Sequence, residues 1–349
     1  MIKYYTRACN FYYGKNSKDK VKKKLSIPLH GNNLISFDTI EILSRKSKKI
    51  INIKKIKNLN HIIKKKILFD INQISKKKKF KNLNFLNLPI LMGILNLTPD
   101  SFSDGGKYNK KNLGIKHAKK LFKDGCQIID IGGESTRPGS EEIETNKEWG
   151  RIFPTLLKIK KMKKIISLDT RKSLIIERGV KNKVSLINDV SGLNHDPYTI
   201  KILSKTNIPF VIHHMKGNPD TMQINPKYKN VVLDIYDFFE KKIKYIRSKG
   251  IHHNNIILDP GIGFGKNLKH NITLLRNISI FHSLGFPVML GTSRKRFIKD
   301  LSGVNDSNER LGGTISSSLF AIMQGVQILR VHDVNELNQS IKVFNSLKF

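Results

Sequence analysis

Cysteine and long apolar runs are scarce in this chain of 349 residues. Its two cysteines, Cys9 and Cys126, lie far apart, which argues against a disulfide framework and is typical of a reducing compartment. No stretch reaches the roughly 18 consecutive apolar residues that a membrane-spanning helix needs. A basic segment followed by a long apolar one is also missing, so no secretory signal is expected. These absences predict a cytoplasmic globular protein without a membrane span.

Acidic side chains are few as well. The chain has 64 Lys and Arg against 27 Asp and Glu, for a formal net charge of +37, and its first 88 residues hold 23 basic and 4 acidic side chains. Such a segment is typical of an arm that binds nucleic acid or an anionic membrane. The alternative is a general enrichment of lysine at solvated positions, since Asn and Ile are enriched together with it. We favour this second interpretation and expect no nucleic-acid partner.

From residue 84 onward, short apolar segments alternate with helical patterns. Eight segments have the length of strands, at residues 90–95, 127–131, 165–169, 184–188, 210–213, 255–259, 288–291 and 327–331. Eight such units in about 260 residues predict an α/β fold, a (β/α)8 TIM barrel with its helices outside. We therefore divide the chain into a Lys-rich extension of unknown role, residues 1–83, and a barrel, residues 84–349. The segment before the first strand is expected to cover one barrel end.

Polar side chains follow these segments at the same end of every predicted strand. They are Asn96, Asp130, Asp169, Asn188, Asp189, His213, His214, Asp259, Thr292, Ser293, Arg330 and His332. The C-terminal ends of barrel strands form the catalytic face of this fold, so the ring predicts an active site. The cations of Arg137, Lys295 and Arg330 suit an anionic ligand, whereas the carboxylates and the amide suit N–H groups. The ring therefore predicts a small ligand with an amino-substituted heterocycle and an anionic group.

Two further patterns have simpler explanations than a nucleotide or a zinc site. Residues 261–266 (GIGFGK) lack the spacing and the Ser or Thr of an ATP-binding loop, so we expect a tight turn near the substrate. His213 and His214 are neighbours on a strand and point to opposite faces, so they cannot chelate one zinc ion together.

Nine longer blocks of sequence surround these strand ends. They read MGILNLTPDSFSDGG at 92–106, IIDIGGESTRPGS at 128–140, ISLDTRKS at 166–173, INDVSG at 187–192, HHMKGNP at 213–219, ILDPGIGFGK at 257–266, GTSRKRF at 291–297, ERLGGT at 309–314 and RVHDV at 330–334. In this order and spacing, the blocks resemble the dihydropteroate synthase family of pterin-binding TIM barrels. The resemblance covers residues 84–345.

The resemblance implies a transferase of folate biosynthesis and a target of sulfonamides. In this reaction p-aminobenzoate attacks the methylene carbon of 6-hydroxymethyl-7,8-dihydropterin diphosphate, giving 7,8-dihydropteroate and pyrophosphate. An SN1-like displacement with Mg2+ and a homodimer are also implied. A pterin-binding methyltransferase barrel is the alternative, although that class is not expected to carry the STRPG and TSRK loops.

The family's site residues carry over to the matching positions of this chain. The pterin edge is expected to contact Asp169, Asn188, Asp259 and Lys295. The diphosphate is expected to lie near Arg330 and His332, and the second loop supplies Thr136, Arg137 and Pro138. Phe102, Phe264 and Pro138 are expected to form the apolar wall of the aminobenzoate slot. Mg2+ is expected at Asn96 and Asp104, and the catalytic residues are expected to be Asp104, Arg137, Asp169 and Lys295.

The first loop and Arg296 lead to two further predictions. Residues 98–106 are expected to close as a lid that brings Phe102 and Asp104 over the substrate. Arg296 stands where the family often has a small hydroxyl residue. It either points outward or alters the contact to the carboxylate of aminobenzoate and to sulfonamides.

Overall fold

Two sheets organise the chain, and the structure, a computed structural model, describes residues 2–77, 80, 83–85, 88–98, 112–135, 140–217 and 221–348. The N-terminal unit comprises β1 (Tyr5–Tyr13), α1 (Gly14–Lys22), β2 (Ile27–Leu29), β3 (Asn32–Leu43), β4 (Lys48–Asn52) and α2 (His61–Ser75). The second unit comprises β5 (Ile90–Asn96), α3 (Leu113–Lys123), β6 (Ile128–Gly132), α4 (Thr145–Ile159), β7 (Ile165–Asp169), α5 (Ser173–Lys181), β8 (Leu186–Asp189), α6 (Tyr198–Thr206), β9 (Phe210–His213), α7 (Val231–Ser248), β10 (Ile256–Asp259), α8 (Leu268–Arg276), β11 (Met289–Leu290), α9 (Arg296–Ser302), α10 (Leu311–Ile322), β12 (Ile328–Val331) and α11 (Val334–Lys348).

Eight parallel strands of the second unit form a barrel. Their hydrogen-bonded order is β10-β9-β8-β7-β6-β5-β12-β11, and a parallel bridge between Leu258 and Val288 joins the two ends. The strands are nearly continuous runs of Ile, Leu and Val, because helices cover their outer side chains and the interior buries the others. The predicted (β/α)8 fold is confirmed.

The N-terminal end of the barrel is filled by apolar side chains. Inward residues of the strands, such as Met92, Val211 and Ile257, pack there with Phe80 and Phe85 from the segment before β5. Phe80 also forms an antiparallel bridge with Leu83. The expectation that this segment covers one barrel end is confirmed, and the proposed boundary at residues 83 and 84 falls inside it.

Residues 2–77 have a fold of their own. Long strands β1 and β3 pair antiparallel, and β2 and β4 each pair with β3. Phe37 and Ile40 of β3 are fully buried in a separate apolar core with Ile67 and Ile74 of α2. The Lys-rich composition therefore belongs to the surface of a packed unit, because lysine keeps its charged head in water while aliphatic side chains form the core.

The N-terminal unit packs against α7 and the segment between α8 and β11. Tyr5 is fully buried, meets the Tyr236 ring edge-on at 5.1 Å and donates its hydroxyl to Asp237 at 3.0 Å. Arg45 forms ion pairs with Asp234 at 2.8 Å and with Asp237 at 2.7 Å. Further contacts reach the far end of α10, where a Cβ on Gly325 would meet Leu29 at 2.4 Å, so the two units touch there without room for a side chain.

None of the helices described in the structure is long and apolar enough to cross a lipid bilayer. The finding agrees with the absence of long apolar runs in the sequence.

Candidate active site

A cleft opens at the C-terminal ends of the barrel strands. It holds about 470 Å³, part of it open to solvent, and is lined by Ile94, Asn188, Val190, His213, Asp259, Phe264, Gly291, Ser293, Lys295, Arg330 and His332. Six of the predicted substrate contacts are in this list: Asn188, Asp259, Phe264, Lys295, Arg330 and His332. Of the twelve polar residues inferred from the strand ends, six line this cleft: Asn188, His213, Asp259, Ser293, Arg330 and His332.

Arg330 on β12 is held by two carboxylates. Its Nε–H donates to Asp130 Oδ2 and an Nη2–H donates to Asp169 Oδ2, both at 2.6 Å. Burial opposes the charge of this guanidinium, but the negative charges of Asp130 and Asp169 outweigh that effect and raise the pKa of Arg330. The side chain is therefore a rigid cation whose orientation is set before any ligand binds.

Asp169 lies behind Arg330 instead of lining the cleft surface itself. Burial raises the pKa of its carboxyl to about 8 although Arg330 opposes the rise, and the nearby charge of Asp130 adds to it. One guanidinium shared by two carboxylates cannot fully compensate both of them. Asp169 therefore retains a proton to higher pH than an isolated aspartate does.

In the described part of the chain, three acceptor oxygens buried around Arg330 lack a hydrogen-bond partner, and one of them belongs to Asn188, which lines the cleft. Asn188 donates its Nδ2 amide to Asp130 Oδ2 at 2.9 Å, which leaves Asn188 Oδ1 as an acceptor. Asn188 Oδ1, Asp130 Oδ1 and Asp169 Oδ1 have no hydrogen-bond partner among the described residues. Unpaired buried acceptors are costly, so a ligand with several N–H donors would fit here.

Asp259 and Lys295 form the opposite side of the cleft. Asp259 Oδ1 accepts from the backbone N–H of Gly261 at 2.8 Å, and Lys295 donates to the carbonyl of Ile262. Burial lowers the pKa of Lys295 to about 8, although the charge of Asp259 works in the other direction. Burial likewise raises the pKa of Asp259, with Lys295 opposing it.

Phe264 provides an apolar wall beside these charges. Lys295 Nζ lies 4.7 Å from the centre of its ring, and His213 meets the ring edge-on at 4.4 Å. The wall depends on glycine: Gly261 has φ +68, and a Cβ there would lie 2.0 Å from the His214 carbonyl oxygen. The tight turn expected at residues 261–266 is confirmed.

His332 is oriented by Ser293, which the sequence placed in the ring without a role. Ser293 Oγ and His332 Nδ1 are 2.9 Å apart, and the backbone N–H of His332 donates to the same oxygen at 3.2 Å. Burial lowers the pKa of His332 well below its usual value, and the positive charges of Arg294 and Arg330 add to the effect. The imidazole is therefore neutral and polar at neutral pH.

The remaining predicted residues fall into three groups. Asn96 ends β5 at the same rim, half-buried, but does not line the cleft. Arg296 points outward, with a side chain 79% exposed and 3.6 Å from Asp300, so the first of its two interpretations is confirmed. Phe102, Asp104, Thr136, Arg137 and Pro138, and the lid expected at 98–106 apart from Thr98, lie outside the described residues.

Metal ligands are sparse at this rim. In the part of the chain that the structure describes, no three His, Cys, Asp or Glu side chains come close enough to hold a metal ion. His214 turns away from His213 toward Lys266 and Phe238, as the strand geometry predicts. A Mg2+ ion that keeps its waters and binds phosphate oxygens needs only one or two protein ligands, and Asn96 offers one amide oxygen.

Asp130 holds the site together, although the sequence alone assigns it no role. It is fully buried and contacts both Arg330 and Asn188. The available signal is a charged residue within the apolar strand β6, but its two partners come from other strands.

A closed barrel with a polar cleft at the C-terminal ends of its strands is the architecture of an α/β-barrel enzyme. Residues 92–332 match the family model described as pterin binding enzyme. The dihydropteroate synthase of Escherichia coli (strain K12) is 42% identical over 259 residues, covering 74% of this chain and 91% of that one.

Solved structures agree with this match. The Yersinia pestis dihydropteroate synthase, in complex with a sulfonamide drug, has a TM-score of 0.73 at 38% identity, covering 76% of this chain and 96% of that chain. The Xanthomonas albilineans dihydropteroate synthase, in complex with 7,8-dihydropteroate, has a TM-score of 0.68 at 31% identity, covering 76% and 95%. The chain belongs to the pterin-binding enzymes and, within them, to the dihydropteroate synthase family, whose members are transferases.

Proposed function

We propose that this enzyme condenses 6-hydroxymethyl-7,8-dihydropterin diphosphate with p-aminobenzoate, giving 7,8-dihydropteroate and pyrophosphate. The observation that carries the proposal is the set of unpartnered buried acceptors on Asp130, Asp169 and Asn188, next to the cation of Arg330. Relatives named for this synthase activity favour it over the methyltransferase alternative.

The pterin edge suits the acceptors of the cleft. A pterin carries an amino group and ring N–H groups, which are donors for Asn188 Oδ1, the Asp169 carboxylate and Asp259. Lys295 supplies the complementary donor for a ring nitrogen or carbonyl oxygen. A binding site with fixed acceptors rejects ligands without these donors, because the buried acceptors would stay unpaired.

The chemical step is proposed as an SN1-like displacement. The diphosphate leaves with its electron pair from the methylene carbon, and the pterin ring spreads the positive charge that remains there. The Asp130 carboxylate places negative charge beside Arg330, and Arg330 and neutral His332 offer donors to the leaving group. The neutral amine of p-aminobenzoate forms the new bond to the methylene carbon with its lone pair. The nitrogen then releases one proton to the departing diphosphate or to water, so the attack needs no strong general base.

Mg2+ is the proposed cofactor. Asn96 and Asp104 would hold it, and when bound it stabilises negative charge on the diphosphate. Aminobenzoate is proposed to lie along Phe264, with Phe102 and Pro138 completing the wall and Thr136 and Arg137 beside the diphosphate. These last residues rest on the family resemblance.

A homodimer and a cytoplasmic location are proposed as well. Helices α10 and α11 expose apolar side chains, with Phe320 at 43%, Met323 at 44% and Val343 at 56% exposure, which suits burial against a second copy. Cys9 and Cys126 are free thiols, which is typical of a reducing compartment.

The test is an assay of the full chain with both substrates and Mg2+. Release of pyrophosphate and formation of 7,8-dihydropteroate should both depend on p-aminobenzoate. Asp169→Ala and Lys295→Ala should each lower turnover at least ~100-fold, since a buried charged hydrogen bond contributes a few kcal/mol. A folded, Mg2+-loaded sample that releases no pyrophosphate would refute the proposal.

A further inference from the structure

Helix α2 of the N-terminal unit turns an apolar face to solvent. Ile62 is 65% exposed, Leu68 49% and Phe69 59%. The opposite face of the helix is buried through Ile67 and Ile74, so the exposed side chains are not needed for the core of the unit. Lys54, Lys57, Lys64 and Lys65 lie on or beside this face. We call these seven residues the α2 surface.

A groove continues the α2 surface between α2 and the 3₁₀ turn at Ile53–Asn58. It measures about 710 Å³ out to open solvent and is lined by Lys24, Ile27, Ile53, Lys54, Ile56, Lys57, Lys64, Leu68 and Ile71. Its floor is aliphatic, and every polar side chain on its rim is a lysine. The aliphatic floor suits an acyl chain, and the lysines of the rim suit the anionic head group of a lipid.

The charge of these lysines is available to a ligand. Three of the four acidic residues of the N-terminal unit already have partners: Asp38 accepts from Tyr12, Glu41 pairs with Arg7 and Asp70 pairs with Lys66. Among the described residues, no ion pair involves Lys54, Lys57, Lys64 or Lys65. The surface therefore combines uncompensated positive charge with exposed aliphatic and aromatic side chains.

We propose that the α2 surface binds the surface of an anionic lipid bilayer. Lysines next to exposed Leu, Ile and Phe side chains are typical of helices that lie in the membrane interface. Nucleic-acid sites instead use stacking aromatic rings and polar donors, and here the one aromatic ring, Phe69, is accompanied by aliphatic side chains. The contacts of the unit with the barrel include Tyr5, Arg45, Leu29 and the inner side of α2, whereas Ile62, Leu68 and Phe69 on its outer side stay exposed.

The experiment is cosedimentation of the full chain with vesicles. One set of vesicles contains equal parts of phosphatidylcholine and phosphatidylglycerol, and the other contains phosphatidylcholine alone. Binding is expected for the anionic vesicles only. Leu68→Gln/Phe69→Ser keeps the net charge and should weaken binding roughly tenfold or more, because the apolar contribution is lost. Lys57→Glu/Lys65→Glu should weaken it as well.

Matched controls lie on the exposed face of α7. Tyr245→Ser removes a half-exposed aromatic ring, and Lys241→Glu/Lys244→Glu reverses two exposed charges, so both should bind as the parent chain does. Thermal unfolding of all variants shows that they are folded. The proposal is overturned if Leu68→Gln/Phe69→Ser binds anionic vesicles as well as the parent chain does and single-stranded RNA displaces the protein from the vesicles. That result would show that the protein binds any polyanion through its positive charge. Absence of binding to anionic vesicles at ~0.15 M salt would overturn it too.

Discussion

Arg330 and Asp130 stand on strands β12 and β6, on either side of β5, and the Arg330 Nε–H donates to Asp130 Oδ2 at 2.6 Å. The same carboxylate oxygen accepts from Asn188 at 2.9 Å. Asp130 therefore orients a cation and an amide that both face the cleft. Asp130 itself is fully buried beneath them, and its second oxygen has no hydrogen-bond partner among the described residues.

Asp130→Asn should reduce kcat/KM for the pterin diphosphate by roughly 10- to 100-fold, because a hydrogen bond to a charged group contributes about 1.5–3 kcal/mol. The new amide offers Arg330 and Asn188 a weaker acceptor and leaves the Asn188 amide free to flip. Steady-state kinetics with each substrate varied in turn measures the effect. Asp300→Asn is the matched control, since its one ion pair among the described residues is with exposed Arg296 at 3.6 Å. Kinetics equal to the control would contradict the role of Asp130.

Titration of Lys295 should make kcat/KM fall at alkaline pH. Its pKa is lowered to about 8 by burial, so the free enzyme loses this positive charge as the pH rises through about 8, and kcat/KM should fall. Lys295→Arg should keep its charge over the same range, because a guanidinium does not deprotonate there. The measurement is a pH profile of kcat/KM for both enzymes. If the two profiles fall together, Lys295 is not the group that titrates.

The sequence predicts which residues lie at the mouth of the barrel, but not which of their side chains contact one another. Asn188, Asp259 and Arg330 could be placed at one mouth because each ends an apolar strand, and parallel barrel strands end at the same face. The bridge from Arg330 to Asp130 and Asp169 could not be predicted, since it depends on how the closed barrel brings side chains from different strands together. The outward direction of Arg296 likewise depends on the rotation of α9.

The fold of the N-terminal unit could not be predicted from the sequence, for a different reason. Its buried residues Phe37, Ile40 and Ile42 do not alternate regularly with exposed ones along β3, since Ser36 and Glu41 are buried as well, and clusters of lysine separate the strands. Several contacts that hold the unit to the barrel join residues more than 180 positions apart, such as Arg45 and Asp234. No local pattern in a single sequence carries that information.

Arg296→Ser should leave aminobenzoate and sulfonamide binding unchanged. The Arg296 side chain is 79% exposed and its only described ion pair is with Asp300, so it does not line the cleft. The KM for p-aminobenzoate and the inhibition constant of a sulfonamide, each compared with the parent enzyme, measure this. A change of more than about threefold, or ~0.7 kcal/mol, would show that Arg296 reaches the ligand in the working enzyme.

Tyr5→Ala should destabilise the whole chain, and not the N-terminal unit alone. Tyr5 is fully buried against Tyr236 and belongs to the main core of the barrel, so the cavity and the lost hydrogen bond to Asp237 should cost about 3 kcal/mol. Calorimetry should show one unfolding transition that moves to lower temperature. Deletion of residues 2–77 should expose the apolar surface that Tyr5 covers and cause aggregation.

Tyr12→Ala serves as the control, because Tyr12 donates to Asp38 within the N-terminal unit. If the unit is a separate module, Tyr5→Ala will resemble Tyr12→Ala, with a second, earlier transition and an unchanged barrel, and the truncated chain will remain folded and active. If it is part of the barrel's structure, only Tyr5→Ala will lower the temperature at which catalytic activity is lost. The buried position of Tyr5 favours the second outcome, since a detachable module would not place its first strand in the core of its neighbour.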